Sequence, residues 1–496
     1  MNFRKTRECL AIAGLVWLAA ATSLSAQTYQ PNWESLDKRP IPGWFQDAKF
    51  GIFIHWGVYA VPSYAPVLPG KLAYSEWYWH AITEGRKPNA DPVDAGSWAY
   101  HQRVYGPDFN YQDLAPQFKA ELFDPGHWAD IFQRSGARYV AITSKHHEGF
   151  ALWPSAEASR TWGRPWNAME VGPKRDLLGD LTTAVRAAGL KMGFYYSLYE
   201  WYNPLYLTDK KRYVSEHMMP QFKDVVTRYK PSIIFSDGEW EMTAAEWRSP
   251  ELLAWLYNES PVKNDVVVDD RWGSDTRHKH GDYWTTEYTP GLADINHPWE
   301  ESRGMGFSYG YNRAERVDHY HTGRELVVLL IDLVSRGGNL LLDIGPGADG
   351  TIPVIMEERL LQIGDWLKVN GDAIYGTRPW KRTRQWSAGE VPKVDYKAEF
   401  NTTYDVTRLT EKQPPGKASI EAFFTSKGND VFAILPRWPG HRVTIREFAG
   451  PIRSATLLGA ATPLRFRSQG SDLIVELPEV PEDLMKQPAW VIKLSR

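Results

Sequence analysis

Short apolar runs recur along the first three quarters of the chain, and helix-like stretches separate them. The runs read Phe50-Gly-Ile-Phe-Ile-His55, Arg138-Tyr-Val-Ala-Ile-Thr-Ser144, Lys191-Met-Gly-Phe-Tyr-Tyr-Ser197, Ser232-Ile-Ile-Phe-Ser-Asp237, Asp265-Val-Val-Val-Asp-Asp-Arg271 and Asn339-Leu-Leu-Leu-Asp-Ile344. Near-continuous apolar strands alternating with helices predict a parallel sheet covered on both faces. Helices are predicted over Pro125–Ser135 behind the cap signal of Asp124, Leu177–Ala188, Ser215–Tyr229, Pro250–Asn258 behind Ser249, and Ile352–Val369. Six or more such units fit a (β/α)-barrel better than an open doubly wound sheet. No Gly-x-Gly-x-x-Gly follows a strand, which counts against nucleotide binding.

After Pro379 the texture changes to short alternating strands. These are Ser419–Phe424, Asp430–Leu435, Ser454–Leu458, Asp472–Leu477 and Trp490–Leu494, with turn residues between them. That pattern predicts an antiparallel β-sandwich. The domain plan is a processed leader over 1–26, a (β/α)-barrel over 27–378 and a C-terminal β-sandwich over 379–496, expected to support the barrel. The leader is read from Arg4, Lys5 and Arg7, the apolar Leu10–Ala21, and the small residues Ser23, Ser25 and Ala26 before Gln27. Export to the periplasm or the medium is therefore expected. The single cysteine, Cys9, falls inside the leader, so no disulfide framework or thiolate chemistry is expected in the mature chain.

Composition adds two constraints. The 496 residues carry a formal charge of -3 with no basic run, which offers no field for nucleic acid or an anionic membrane. Aromatic content is high, with 23 Trp and 25 Tyr, either as core or as surfaces on which sugar rings stack.

Reactive side chains fall at the C-terminal ends of the predicted strands: His55, His146, His147, Tyr195, Asp237 and Arg271. They are flanked by Trp56, Trp77, Trp153, Trp201, Trp240 and Trp272. In a (β/α)-barrel those ends share one rim, where active sites are built. No Gly-x-Ser-x-Gly elbow is present. Adjacent residues on a strand point to opposite faces, so His146, His147 and Glu148 are not expected to converge on a metal. A carboxylate pair among imidazoles, rings and an arginine suits glycosyl transfer, which needs one ionised and one protonated carboxyl. Asp237 fits the ionised partner, since Gly238 leaves room beside it and Arg271 would hold its pKa low. The competing reading of Asp237-Gly238 is a simple turn.

The chain resembles the α-L-fucosidases of glycoside hydrolase family 29. The resemblance is carried by Trp44-Phe-Gln-Asp-Ala-Lys-Phe-Gly-Ile-Phe-Ile-His-Trp-Gly57, Glu76-Trp-Tyr78, Ser144-Lys-His-His-Glu-Gly-Phe150, Phe194-Tyr-Tyr-Ser197, Phe235-Ser-Asp-Gly-Glu-Trp240, Asp270-Arg-Trp-Gly273, Pro298-Trp-Glu300, Gly310-Tyr-Asn312 and Asn339–Pro346. It implies a retaining exo-hydrolase of fucosylated oligosaccharides or glycoconjugates, without metal or organic cofactor. Asp237 matches the nucleophile. His55, Glu76, Trp77, His146, His147, Tyr195 and Arg271 match the sugar pocket, with Trp77 offered to the C6 methyl. Glu300 is the expected acid/base and Glu287 the alternative. One position departs: Tyr309 stands where many members carry Trp or Phe, putting a hydroxyl near the pocket wall. The same machinery acting on α-L-galactosides, and a non-catalytic glycan-binding relative, are the competing functions.

Overall fold

The computed structural model describes residues 28–293, 296–396, 400, 404–460, 463–479 and 481–496. The expected leader lies outside the described residues.

Eight strands form one parallel sheet: β1 (Phe50–Ile54), β2 (Tyr139–Lys145), β3 (Lys191–Ser197), β4 (Ile233–Asp237), β5 (Val267–Val268), β6 (Trp284–Glu287), β7 (Trp299–Gly304) and β8 (Gly338–Ile344). Their order is β5-β4-β3-β2-β1-β8-β7-β6, the succession of a (β/α)-barrel. The seam between β5 and β6 is stitched by two backbone bonds, from Asp282 N–H and Tyr283 N–H to the Val268 carbonyl. The Asp270 carboxylate adds the Thr285 N–H (3.1 Å) and hydroxyl (2.7 Å).

Strands β1, β2, β4 and β8 are buried at every position, which explains why they read as unbroken apolar runs. The run at Asp265–Arg271 shortens to two strand residues. Strand β7 escaped the pattern because its sequence, Trp-Glu-Glu-Ser-Arg-Gly, looks like loop, whereas β6, Trp-Thr-Thr-Glu, is a short polar run that still reads as strand-like. Their polar groups satisfy one another inside the protein. Glu301 accepts the Thr286 hydroxyl, the Thr289 N–H (2.9 Å) and the Arg303 guanidinium (2.8 Å).

The helices follow their caps. Asp124 accepts from Gly126 and His127 N–H to start Pro125–Arg134, and Asp176 accepts from Gly179 N–H to start Leu177–Ala187. The Ser249 signal was misplaced. Ser249 is the first helical residue, Arg248 takes the cap in a left-handed conformation, and Ser249 Oγ donates to the Trp272 carbonyl at 2.5 Å. The predicted Ser215–Tyr229 helix extends back to Lys210 through a π-turn at Val214–Met218. Pro220 has no N–H for the carbonyl four residues earlier. That carbonyl, of Glu216, accepts the Arg160 guanidinium instead.

The C-terminal region forms two antiparallel sheets. One has the order β13-β16-β11-β10-β9 and the other β12-β15-β14. The strands are β9 (Arg378–Trp386), β10 (Ile420–Lys427), β11 (Asp430–Leu435), β12 (Arg442–Ile445), β13 (Ser454–Leu457), β14 (Phe466–Gln469), β15 (Asp472–Glu476) and β16 (Trp490–Ser495). Their shared core includes Phe424, Val431, Ile445, Val475 and Ile492. This unit docks on two barrel helices. Arg324 donates to the Pro436 and Pro488 carbonyls (2.9 and 2.8 Å), and Trp366 Nε1 donates to the Ala489 carbonyl at 2.9 Å.

Candidate active site

One cavity of about 940 Å³ opens at the C-terminal ends of the barrel strands. His55, Glu76, Trp77, His146, His147, Tyr195, Asp237, Arg271 and Glu287 all line it. Seven segments deliver them. His55 follows β1, the two histidines follow β2, Tyr195 lies within β3, Asp237 ends β4, Arg271 follows β5, and Glu287 ends β6. Glu76 and Trp77 sit on the short turn Ser75–Trp77.

Asp237 is the electrostatic centre. Its Oδ1 accepts Arg271 Nη1 at 3.0 Å and its Oδ2 accepts the Tyr195 hydroxyl at 2.7 Å, with His147 Nε2 at 3.4 Å. Burial opposes the charged form, yet the Arg271 guanidinium, with the Tyr195 hydroxyl, outweighs it and holds the carboxyl well below the ordinary aspartate range. Arg271 also donates Nε to Thr285 Oγ1 at 2.9 Å and Nη2 to Glu287 Oε2 at 3.3 Å. One guanidinium therefore bridges two carboxyls. Glu287 behaves oppositely to Asp237: burial and repulsion from Asp237 raise its pKa against the pull of Arg271. Its Oε1 accepts the Tyr74 hydroxyl at 3.1 Å. Two carboxyls pushed apart in proton affinity are the raw material of paired nucleophilic and acid catalysis.

Two of the imidazoles, His147 and His55, are held neutral. Burial and His146 bring His147 down to about 3, and burial lowers His55 well below its usual value. His55 Nδ1 lies 2.7 Å from Asp343 Oδ1, while its ring stacks on Tyr309 with centroids 4.7 Å apart. Glu76 accepts Gly310 N–H (2.9 Å) and the Ser308 hydroxyl (3.1 Å), so it fixes the loop carrying Tyr309.

Three expectations need correction, and one competing reading falls. Glu300 is fully buried on β7 and its carboxyl takes the hydroxyl of Tyr139, which packs with the barrel-interior residues Phe45, Phe53, Ile233, Tyr283 and Leu341. The apolar interior raises its pKa to about 8 against that hydrogen bond. A proton held there is walled off from the cavity, so Glu300 does not reach a substrate. His146 and His147 do not point to opposite faces. They lie past the last residue of β2 in a turn ending at Gly149 (φ 78°), with ring centroids 4.1 Å apart. Of the six flanking tryptophans, Trp77 and Trp240 line the cavity, whereas Trp56, Trp153 and Trp272 are wholly buried core. Asp237-Gly238 is no hairpin turn: Asp237 ends a buried parallel strand, and Gly238 takes φ 71° where a Cβ would meet the Tyr199 ring at 2.6 Å.

Several residues around the site were not singled out beforehand. Glu239 lines the cavity and pairs with Arg277 at 2.8 Å. Asp343 backs His55, Ser197 backs His147 at 2.6 Å, and Tyr74 backs Glu287. A carboxylate ending the apolar Leu340-Leu-Leu-Asp343 was a readable signal for Asp343. Tyr74 had none.

A parallel (β/α)-barrel with two carboxyls of opposed proton affinity bridged at its rim defines a glycoside hydrolase-type site. The chain belongs to the alpha-L-fucosidase family: the family's sequence profile matches residues 16–372, and that of the alpha-L-fucosidase C-terminal domain matches residues 417–495. It is 41% identical to the tissue alpha-L-fucosidase of Homo sapiens over 97% of this chain and 96% of that protein. It is 44% identical to an alpha-L-fucosidase of Dictyostelium discoideum over 72% of this chain and 76% of that protein. Among solved structures it is similar to the Thermotoga maritima alpha-fucosidase bound to a mechanism-based inhibitor, with TM-score 0.74 and 34% identity over 94% of this chain and 100% of that one. The complex of the same enzyme with fucose gives TM-score 0.73.

Proposed function

We propose that this chain is an exo-acting, retaining α-L-fucosidase that removes terminal α-L-fucose from fucosylated oligosaccharides or glycoconjugates. The carrying observation is the Asp237–Arg271–Glu287 bridge. Sharing one guanidinium keeps the two carboxyls close together, which favours a retaining pair, separated by about 5–5.5 Å, over the wider inverting one. Asp237, held ionised, attacks the anomeric carbon, and Glu287, held protonated, gives its proton to the departing oxygen. Glu287 then takes a proton from the water that cleaves the glycosyl–Asp237 ester. His55, His146, His147 and Glu76 receive the ring hydroxyls, and Trp77 offers an apolar face to C6.

The departure at Tyr309 supports fucose over L-galactose. Its hydroxyl is engaged by Ser302, donating to the backbone carbonyl at 3.1 Å with Ser302 Oγ also at 3.1 Å. The side chain therefore presents ring rather than a free polar group for a C6 hydroxyl. We also propose export, on the basic and apolar pattern before Gln27; N-terminal sequencing of the secreted protein tests it. The functional test is release of p-nitrophenol from the α-L-fucoside and the α-L-galactoside, with Asp237→Ala alongside. The fucoside should be strongly preferred and the variant inactive. Equal rates from wild type and variant would remove Asp237 as nucleophile, and no release by wild type would leave a glycan-binding protein.

A further inference from the structure

Ser197, the last residue of β3, stands between His147 and the backbone. Its Oγ lies 2.6 Å from the Tyr199 carbonyl oxygen and 2.6 Å from His147 Nδ1. A hydroxyl has one hydrogen, and a carbonyl oxygen can only accept. The Ser197 hydrogen therefore belongs to Tyr199, and the lone pair left facing Nδ1 requires that Nδ1 bring its own proton. His147 is held neutral by burial and by His146, so with its proton on Nδ1 the Nε2 atom is bare. Nε2 lies 3.4 Å from Asp237 Oδ2 and 3.3 Å from the Tyr195 hydroxyl, whose own hydrogen goes to Asp237 at 2.7 Å.

We propose that Ser197 is a positioning residue that locks His147 in its Nδ1–H tautomer, making Nε2 an acceptor for the substrate hydroxyl next to the reacting carbon. This rests on the fucosidase reading above. Asp237 attacks C1, and Nε2 sits within 3.4 Å of that carboxylate, so the hydroxyl within reach of both is the one on C2. Donation from O2–H to Nε2 leaves O2 more electron-rich. That favours the positive charge developing at C1, the stage at which contacts to the 2-hydroxyl strengthen. The opposite tautomer would aim an N–H at the nucleophile and compete for its charge. The geometry is rigidly registered to the nucleophile's strand. Leu198 N–H donates to the Asp237 carbonyl at 2.7 Å, and a Cβ at Gly238 would lie 3.0 Å from Ser197 Oγ.

The test pairs kinetics with spectroscopy on the full chain. Ser197→Ala and Ser197→Thr are compared with wild type on p-nitrophenyl α-L-fucoside and its 2-deoxy analogue, which has no O2–H to donate. Loss of the lock should lower the fucoside-to-2-deoxyfucoside ratio of kcat/KM by about tenfold in Ser197→Ala, and Ser197→Thr should recover most of it. Nitrogen NMR of ¹⁵N-histidine-labelled protein, with His147 assigned through His147→Gln, should show Nδ1 protonated and Nε2 bare in wild type. Equal losses on both substrates in Ser197→Ala, or a protonated Nε2 in wild type, would overturn the proposal. A wild type inactive on both glycosides would instead overturn the fucosidase reading, and the NMR result would still decide the tautomer.

Discussion

Glu287→Gln separates a proton donor from a scaffold residue. Glu287 makes two contacts in the site, accepting Tyr74 OH at 3.1 Å and Arg271 Nη2 at 3.3 Å. An amide can keep both neighbours, through its oxygen to Arg271 and its NH₂ to the tyrosine oxygen. The structural cost of the change is then about 1 kcal/mol, less than tenfold in rate. Loss of the acid is far larger, about 10²–10⁴-fold or roughly 3–5 kcal/mol, but only where the leaving oxygen needs a proton. The assay is kcat/KM on a fucosyl disaccharide, whose leaving group is a sugar alcohol, beside the p-nitrophenyl fucoside, whose leaving group departs readily as an anion. The disaccharide should lose at least about a hundredfold more than the aryl glycoside. The pH profile supplies a second reading. Activity falls on the acid side as Asp237 is protonated, below the usual aspartate range, and on the alkaline side as Glu287 loses its proton, above the usual glutamate range. The alkaline limb should vanish in Glu287→Gln. Equal losses on both substrates, or an unchanged alkaline limb, would refute Glu287 as the acid.

Two further substitutions probe the charges behind this scheme. Arg271→Met strands the Asp237 carboxylate, which has a side chain only 10% exposed, and should cost about 3–5 kcal/mol in chemical denaturation while moving the acid limb of activity to higher pH; an unmoved limb would mean Arg271 does not hold Asp237 ionised. Glu300 has the opposite sign. Its folded pKa of about 8 exceeds the unfolded value, so the protonated form stabilises the fold at low pH, and that contribution drains away between about pH 4.5 and 8, by as much as roughly 5 kcal/mol. Glu300→Gln should flatten that decline while keeping most of the hydrolytic activity. A collapse of activity with intact fold would restore Glu300 as the acid.

The barrel was legible because β1–β4 and β8 are buried on both faces, leaving unbroken apolar runs whose last residues carry the chemistry. Asp237 and both histidines could be read from those ends, and Arg271 from the end of the apolar run that carries β5. Strand β7 was not, since its glutamates are satisfied largely by Thr286, Thr289 and Tyr139 from elsewhere in the chain, contacts that a linear reading does not contain. The choice between Glu300 and Glu287 turned on this. Both end or follow a Trp-containing polar run, and only the three-dimensional register shows one facing the barrel interior and the other the cavity. The tryptophans erred in the same direction: proximity in sequence to rim residues placed Trp56, Trp153 and Trp272 at the site, while their side chains pack backwards into the core.

The central claim is that Asp237 forms a bond to the sugar. Incubation with a 2-deoxy-2-fluoro-fucosyl fluoride, which slows breakdown of a glycosyl ester more than its formation, followed by peptide mass spectrometry, tests it directly. A single fluorofucosyl adduct on the peptide containing Asp237, absent in Asp237→Ala, is the expected result. Inactivation with the adduct on another residue, or steady turnover with no adduct at all, would contradict it.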